Sequence, residues 1–249
     1  MIRRLGNFFL LTGLVCLVMP RSWERLRSWL TIVASAASLF FACQLFTQVG
    51  QTQVLGGWLV LRTDGLSWLC LAAAASFAVL LAVYSLAYMN GKEGHRLYDC
   101  CLLWSLAFSA GVFLASELVL LVTCWGLMAV TLYLMIGVAG PDASEAARKS
   151  FMIVGGSDAL LLLAAALLYV HHGSTRMDTG TISLDSPAAY IAFLCFLSAA
   201  FAKTGAVPLH VWLPDCGQRA FAPVTAYLPA ALDKLLGVYL IVRVVTELF

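Results

Sequence analysis

The stretch Ala199–Asp215, "AAFAKTGAVPLHVWLPD", decides how the fold of this chain is interpreted. It lies in a strongly apolar region, yet it contains Lys203, two prolines and His210. An ionisable residue inside a membrane span costs at least ~2.5 kcal/mol on insertion scales, so it is expected to serve a function. Pro208 has no backbone N–H, which leaves the carbonyl of Thr204 without its helical partner. The stretch therefore predicts a broken membrane helix that carries a cation.

The composition excludes an ordinary soluble domain. The chain has 249 residues, of which 62% are hydrophobic and 11% are charged, whereas soluble domains are about 25% charged. The net charge of +2 gives no indication of nucleic-acid binding. Eight cysteines occur without a CxxC pair, and we interpret them as small buried apolar side chains. We therefore expect no metal or iron–sulfur site, and no other cofactor is predicted for the chain.

Apolar runs of about 20 residues recur along the chain, the length that a helix needs to cross a bilayer. Backbone groups in lipid must find partners within their own segment, so these runs are expected to be helical. The sequence thus predicts an all-α integral membrane protein with about eight transmembrane helices, the seventh and eighth being broken. The predicted spans are Leu5–Met19, Trp29–Val49, Gly65–Met89, Cys100–Ala115, Leu118–Ala139, Phe151–Val170, Ala189–Leu213 and Ala220–Thr246.

The basic residues of the connecting segments favour one orientation. Basic residues concentrate in cytoplasmic loops, and the links 1–2, 3–4, 5–6 and 7–8 contain eight of them against five on the other side. Both termini are therefore predicted to be non-cytoplasmic. The eight are Arg21, Arg25, Arg27, Lys92, Arg96, Arg148, Lys149 and Arg219, and the five are Arg3, Arg4, Arg62, Arg176 and Arg243.

Two lysines are predicted to lie near the middle of the bilayer. Lys203 has 14 residues of the span Ala189–Leu213 before it and 10 after it, or roughly 21 and 15 Å of helix. Lys234 has a similar place in the span Ala220–Thr246. Such lysines are expected to face a hydrated interior and to exchange protons. His210 is either a further member of this proton relay or an interfacial capping residue.

The eighth predicted span repeats the pattern of a helix break before a lysine. Pro223 and Pro229 precede Lys234, and Pro229 is expected to free the carbonyl of Thr225. Asp233 adjoins Lys234 but projects about 100° away around the helix. We therefore expect Asp233 to find its partner in another helix and include it in the proton relay.

Asp158 lies near the start of the span Phe151–Val170. The positive end of the helix dipole stabilises a carboxylate at a helix N-terminus, so we expect this role for Asp158. The sequence contains no phosphate-binding loop, nucleophile constellation or metal-ligand spacing. The only chemistry that it suggests is the movement of charge.

The segments "AKTGAVPLHVWLPD" (202–215) and "APVTAYLPAALDKLLGVYLIVR" (222–243) resemble the antiporter-like subunits of respiratory complex I, membrane-bound hydrogenases and Mrp-type antiporters. "RTDGLSWL" (62–69) supports the resemblance, which covers roughly residues 60–249. It implies two N-terminal helices in residues 1–60 and a proton-translocating repeat in residues 61–249. The second inverted repeat of the family is expected to be absent.

The resemblance also implies a function. The chain is expected to translocate protons or sodium ions as a non-catalytic subunit, without a redox centre, of a complex I-like or hydrogenase-like oxidoreductase. Its partners would be other membrane-arm subunits in a bacterial or archaeal cytoplasmic membrane. Lys203 would be the paired channel lysine, Lys234 the relay lysine and His210 the loop histidine. The alternatives are a subunit of an Mrp-type sodium/proton antiporter and a non-pumping structural subunit.

One position departs from the family pattern. The family has a glutamate directly after a tryptophan, whereas "WGLMAVTLYLMI" (125–136) has Gly126 after Trp125. The sequence therefore predicts that the carboxylate partner of Lys203 is lost at this position. The chain is then expected to be one piece of a split subunit, a structural member of the membrane arm or a truncated product.

Overall fold

The structure is a computed structural model that describes residues 2–55, 59–178 and 181–249. The prediction of a mostly helical membrane protein is confirmed. Helices account for most of the described chain, as expected for apolar segments that satisfy their own backbone groups. The α-helices are α1 Ile2–Val18, α2 Glu24–Leu45, α3 Gly65–Tyr88, α4 His95–Leu114, α5 Leu118–Gly137, α6 Ser144–His172, α7 Pro187–Thr204, α8 Leu213–Arg219, α9 Ala222–Tyr227 and α10 Asp233–Arg243.

Six helical segments of the described chain are long and apolar enough to cross a membrane, so the predicted number of eight spans is not confirmed. These segments contain α2 to α7. Helix α1 has only 17 residues. The seventh predicted span, Ala189–Leu213, is helical only as far as Thr204, and the eighth, Ala220–Thr246, is divided among several helical pieces.

A β-hairpin interrupts the helices between α2 and α3. Its strands β1 (Thr52–Leu55) and β2 (Leu59–Arg62) are antiparallel, with Thr52 opposite Arg62. Leu61 also forms an isolated bridge with Ala115, directly after α4. The hairpin therefore covers the end of the bundle where α3 begins and α4 ends. These strands lie outside the helices predicted from the sequence.

Small side chains allow the helices to pack closely. Helix α1 lies against α4, α2 against α3, α5 between α4 and α6, and α7 between α6 and α10. Small residues at helix contacts are typical of membrane proteins, because they let two backbones approach. The small buried residues of α2 and α3 include Ala34, Ser35, Ser38, Ala42, Ala74, Ala75, Ala78 and Ala82.

The helix break within the stretch Ala199–Asp215 lies directly after Thr204. Gly205 ends α7 in the left-handed conformation (φ 68°), which glycine adopts without steric cost. Residues 205–212 then form turns that contain Pro208. Trp212, which is fully buried, donates a hydrogen bond from Nε1 to the carbonyl of Ala202 at 3.2 Å. The tryptophan thus folds the broken segment back onto the end of α7.

The last segment of the chain runs from α9 to α10 through a π-helical turn, Leu228–Leu232, and ends in a second one, Val244–Leu248. Pro229 lies within the first π-helical turn, where the regular hydrogen-bond ladder is altered. Pro223 lies in the first turn of α9. Proline is well tolerated there because the N–H at that position has no helical partner. Pro223 therefore begins a helix and does not break one, which corrects the sequence-based prediction.

Candidate functional site

The opposite charges of Lys203 and Asp233 meet inside the bundle. Lys203 is in the last turn of α7 and Asp233 is the first residue of α10. The Lys203 Nζ lies 3.7 Å from the Asp233 Oδ1, and both side chains are 0% exposed. Neither the amine nor the two carboxylate oxygens has a hydrogen-bond partner. The expectation that Asp233 has a partner in another helix is therefore met by Lys203.

The pair lies about halfway along the final helical segment, Ala222–Leu248. Asp233 follows 11 residues of this segment and precedes 15, or about 16 and 22 Å of helix. Lys203, in contrast, is the penultimate residue of α7. The expectation that ten helical residues follow Lys203 was therefore wrong, because α7 ends inside the bundle at Gly205.

Trp125 and Asp158 extend this site across α5 and α6. The Lys203 Nζ lies 5.3 Å from the centre of the fully buried Trp125 ring. Such an arrangement stabilises a cation. Asp158 is half-buried, and the charges of Lys203 and Asp233 act on it. Its Oδ1 is buried without a hydrogen-bond partner.

The predicted role of Asp158 at a helix N-terminus is wrong. Helix α6 begins at Ser144 and not near Phe151, so Asp158 has 14 helical residues on either side. This difference arises because the polar first turns of α6 do not look like a membrane span in the sequence. When a helix extends beyond its apolar region, the position of a charged residue along the helix cannot be determined from the apolar run alone.

Gly126 lies beside Trp125 on α5 and faces Asp158. A Cβ atom built on Gly126 would lie 4.0 Å from the Asp158 Oδ2. This is an ordinary contact distance, so the space in front of Gly126 contains a carboxylate from the neighbouring helix. The sequence placed the missing carboxylate at this position, and the structure places a different one next to it.

A glycine on α10 brings the two halves of the pair together. A Cβ atom on Gly237 would lie 2.7 Å from the carbonyl oxygen of Ala200 and would also overlap the Thr204 Cγ2. Real Cβ atoms do not come so close to a backbone oxygen, so only glycine fits without a shift of the helices. The close approach of α7 and α10 at Gly237 therefore fixes the separation of Lys203 and Asp233.

Lys234 and His210 lie apart from the buried pair. Lys234 is exposed on the surface of the chain, and its Nζ donates a hydrogen bond to the carbonyl of Thr204 at 3.1 Å. The carbonyl that the sequence analysis expected to be free beside Lys203 is thus used by Lys234. The Nδ1 of His210 is buried and has no hydrogen-bond partner. Neither residue forms an ion pair with Asp233 in the described part of the chain.

The described residues contain no group of three His, Cys, Asp or Glu side chains that could hold a metal ion. The eight cysteines are all free thiols. What the site offers chemically is one amine and two carboxylates in an apolar interior. These groups can exchange a proton among themselves and with water.

Comparisons with known proteins identify the relatives of this chain. A family model described as "NADH:quinone oxidoreductase/Mrp antiporter, TM" matches residues 115–249, which is more than half of the chain. A probable K(+)/H(+) antiporter subunit of Rhizobium meliloti is 30% identical over 195 residues, covering 76% of this chain and 19% of that protein. NADH-quinone oxidoreductase subunit M of Escherichia coli is 28% identical over 240 residues, covering 84% of this chain and 47% of that protein.

A solved structure of the Mrp complex from Dietzia sp. shares the fold. The match has a TM-score of 0.84 at 22% identity and covers 96% of this chain and 27% of that one. The chain thus spans less than half the length of the relatives named above. From the buried amine and carboxylates, the broken helix α7 and the family match, it follows that the chain belongs to the NADH:quinone oxidoreductase/Mrp antiporter transmembrane family.

Proposed function

We propose that this chain translocates protons or sodium ions as a membrane-arm subunit of a complex I-like or membrane-bound hydrogenase-like redox assembly. The observation that carries this proposal is the fully buried Lys203–Asp233 pair, whose polar atoms make no hydrogen bonds. The chain itself would be the non-catalytic part of the assembly, and the redox chemistry would take place in partner subunits.

The energetics of the pair favour a role in transport over a role in stability. A buried ion pair compensates its desolvation cost only when further hydrogen bonds satisfy the remaining polar atoms. This pair has none, so it adds little to the stability of the fold. Ionisable groups kept inside a membrane protein at such a cost commonly mark ion pathways. A proton can move from the ammonium of Lys203 to a neighbouring carboxylate, which converts two opposite charges into two neutral groups.

The relay would continue from Lys203 through residues on either side of the helix break. Lys234 is bound to the carbonyl of Thr204, the residue that follows Lys203. His210 offers a buried ring nitrogen without a partner in the turns after α7. We propose Lys203, Asp233, His210 and Lys234 as the relay, with the breaks near Pro208 and Pro229 giving water access to it.

The membrane orientation is also a proposal. Arg96 binds the carbonyl of Leu17, and Lys149 pairs with Asp215, so several basic residues gather at one end of the bundle. Basic residues favour the cytoplasmic side. With α1 and the final segment crossing in addition to the six long helices, eight passes would leave both termini non-cytoplasmic. The setting would be the cytoplasmic membrane of a bacterium or an archaeon.

Other membrane subunits would surround the chain. We propose that residues 1–60 supply two supporting helices and that residues 61–249 form one translocating repeat. Its neighbours would be other membrane-arm subunits, including antiporter-like and small membrane subunits. Support for such partners comes from the fold match to a chain of the Mrp complex from Dietzia sp..

A second candidate function is that of a subunit in an Mrp-type sodium/proton antiporter. It is favoured by the similarity to an antiporter subunit of Rhizobium meliloti. The two functions differ in the partner subunits that they require. Purification of the assembly in mild detergent should yield redox subunits in the first case and only antiporter subunits in the second.

Replacement of the buried lysine tests ion translocation directly. Lys203→Met keeps the apolar stem of the side chain but removes the exchangeable proton. In membrane vesicles that contain the intact assembly, coupled ion transport is expected to fall at least tenfold while the assembly stays complete. Lys149→Met is the matched control, because Lys149 is also paired with an aspartate but is 42% exposed. Full transport by Lys203→Met would contradict the proposal and favour a purely structural subunit.

A further inference from the structure

A second carboxylate, Asp158 of α6, lies beside the part of α5 that Lys203 faces. Asp158 lies in the middle of its helix, about 21 Å from either end. Lys203 lies over the Trp125 ring, and the next residue, Gly126, faces the Asp158 carboxylate, which agrees with an influence of the Lys203 and Asp233 charges on Asp158. The site therefore contains one amine and two carboxylates, and not the single ion pair that the shortest distance indicates.

The surroundings of Asp158 leave one oxygen of its carboxylate without a hydrogen-bond partner. Its Oδ1 is buried without a hydrogen-bond partner, and so is the Nε1 of the nearby Trp125. A buried polar atom without a partner costs free energy that the fold does not recover. A purely structural aspartate would be expected to have hydrogen bonds, as buried polar groups in folded proteins nearly always do.

Gly126 provides the space that this carboxylate faces. Because Gly126 has no side chain, no α5 side chain lies between its backbone and the Asp158 Oδ2. A Cβ atom at this position would lie 4.0 Å from that oxygen. A carboxylate carried by residue 126 and the carboxylate of Asp158 would therefore share one region of the site. The two positions are alternative places for the same charge.

We propose that Asp158 is the second proton-binding carboxylate of the Lys203 site and that it takes the place of a carboxylate at residue 126. The inference rests on the proposed function and adds a residue to it. In the proton transfer, one N–H bond of the Lys203 ammonium breaks and an O–H bond forms on Asp158. No electrons are transferred, and the charges +1 and −1 become two neutral groups. Asp233 keeps its place beside Lys203 throughout.

The pairing of two carboxylates with one amine explains why such a site can bind a proton reversibly. Two carboxylates near one cation cannot both be compensated, because the site then has a net charge of −1 in an apolar region. Uptake of one proton removes this excess. With Asp233 alone the pair would already be neutral, and uptake of a proton would leave a net charge of +1 in the apolar region, which is unfavourable.

Relocation of the carboxylate tests the proposal in the intact assembly. Asp158→Asn is expected to reduce ion transport at least tenfold, and Asp158→Asn combined with Gly126→Glu should recover a substantial part of it. Asp142→Asn, an exposed aspartate just before α6, is the matched control and should transport like the unmodified protein. A double variant as inactive as Asp158→Asn alone would overturn the proposal.

A chemical measurement keeps the proposal testable if variants fail to assemble. A hydrophobic carbodiimide reacts with protonated carboxyl groups inside membranes, and mass spectrometry locates the modified residue. We expect modification at Asp158 in the unmodified assembly, whereas its complete absence would contradict a protonated state. If Lys203→Met abolishes transport but Asp158→Asn keeps it within twofold, this inference fails and the proposed function stands. If Lys203→Met transports normally, the proposed function itself fails.

Discussion

Two buried groups of charges lie at opposite ends of α10 and are built in different ways. The Lys203–Asp233 pair lies at the start of the helix, where its polar atoms make no hydrogen bonds. The Arg243 network lies at the end, about 15 Å away along the helix. We define it as Arg243 together with the four residues whose side chains contact its guanidinium group, namely Asp64, Ser67, Tyr239 and Glu247.

Arg243 uses its donors in full. Its Nη2 donates to the Asp64 Oδ1 and to the Ser67 Oγ, both at 2.8 Å, and its Nε donates to the Tyr239 hydroxyl at 2.9 Å. Its Nη1 pairs with Asp64 and with Glu247. The network thereby joins the first turn of α3 to the last turns of the chain.

The difference shows how this fold uses buried charge. All nitrogens of the Arg243 guanidinium have partners, although the Glu247 Oε2 of the same network has none, and a hydrogen-bonded charge of this kind can rigidify a structure. A charge without hydrogen bonds holds its neighbours weakly, but it can give up or accept a proton at little structural cost. We therefore assign the Arg243 network to stability and the Lys203–Asp233 pair to function. Three single and two double variants test this division.

Removal of the arginine should have the largest effect on stability. Arg243→Met removes the more buried of the two cations that pair with Asp64 and Glu247, because Arg62 still contacts both carboxylates. Removal of one partner of a buried pair typically costs 3–5 kcal/mol, and with Arg62 in place we expect the free energy of unfolding in detergent to fall by about 3 kcal/mol. Arg176→Met is the control, because the exposed pair of Arg176 with Asp178 contributes less than about 1 kcal/mol. Equal losses in the two variants would contradict the assignment.

A methyl group at the helix contact should have the next largest effect. Gly237→Ala places a Cβ atom against the carbonyl of Ala200, and overpacking of this kind costs about 1–3 kcal/mol. We expect about 2–3 kcal/mol of lost stability together with reduced ion transport, because α7 and α10 must separate. Gly156→Ala on α6 is the control, since a Cβ atom there has no neighbour within 4 Å. It should be neutral or stabilise by up to about 1 kcal/mol.

The carboxylate of the Arg243 network should make stability depend on pH. Burial raises the pKa of Asp64, but hydrogen bonds from Arg243 and from the N–H of Ser67 outweigh it and lower the pKa from 3.8 to about 2. Because the folded pKa is below the unfolded one, this stabilisation is complete above about pH 4 and is lost as the pH falls towards 2.

Asp64→Asn should therefore lose about 1–2 kcal/mol at neutral pH, a value reduced for screening because the side chain is 29% exposed. The difference between the variant and the unmodified protein should disappear as the pH falls from about 4 to about 2. Apparent melting temperatures in detergent over this range provide the measurement. A difference that stays constant across the whole range would show that the charge of Asp64 is not responsible.

The sequence was sufficient for the helices and for the two residues of the buried pair, but not for their pairing. Apolar runs located α3, α5 and most of α2, because hydrophobic length is a strong signal in membrane proteins. Lys203 and Asp233 were identified because a charge inside an apolar run is unusual. Their meeting depends on where α7 ends and on the close approach at Gly237, neither of which appears in a hydropathy pattern.

The sequence was also insufficient to predict how deep in the bundle a charged residue lies and which residues of other helices face it. Asp158 looked like a residue at the start of a span because the polar turns of α6 before it are not apolar. Gly126 looked like the loss of a carboxylate, since a linear motif cannot show that another helix faces the same space. The Arg243 network was missed altogether because Asp64 and Arg243 are 179 residues apart.

Replacement of the whole pair should have the smallest effect on stability, and with the opposite sign. Lys203→Met combined with Asp233→Leu removes two desolvated charges and fills their space with apolar groups. Such exchanges of buried ion pairs are often neutral or stabilising by 1–4 kcal/mol. Because Asp158 loses its counter-charge in this variant, we expect a gain at the low end, about 1 kcal/mol, with coupled ion transport abolished.

The matched exchange in the Arg243 network is Asp64→Leu combined with Arg243→Met. It removes the guanidinium that Ser67, Tyr239 and Glu247 share, while Glu247 keeps its pair with Arg62 and the Tyr239 hydroxyl keeps its bond to the carbonyl of Phe113. The hydrogen bonds that are lost should lower the free energy of unfolding by about 2 kcal/mol. Opposite signs in the two double variants would establish that one group of charges serves the fold and the other serves transport. A loss of stability of equal size in both would show instead that the Lys203–Asp233 pair is a structural element, whatever its effect on transport.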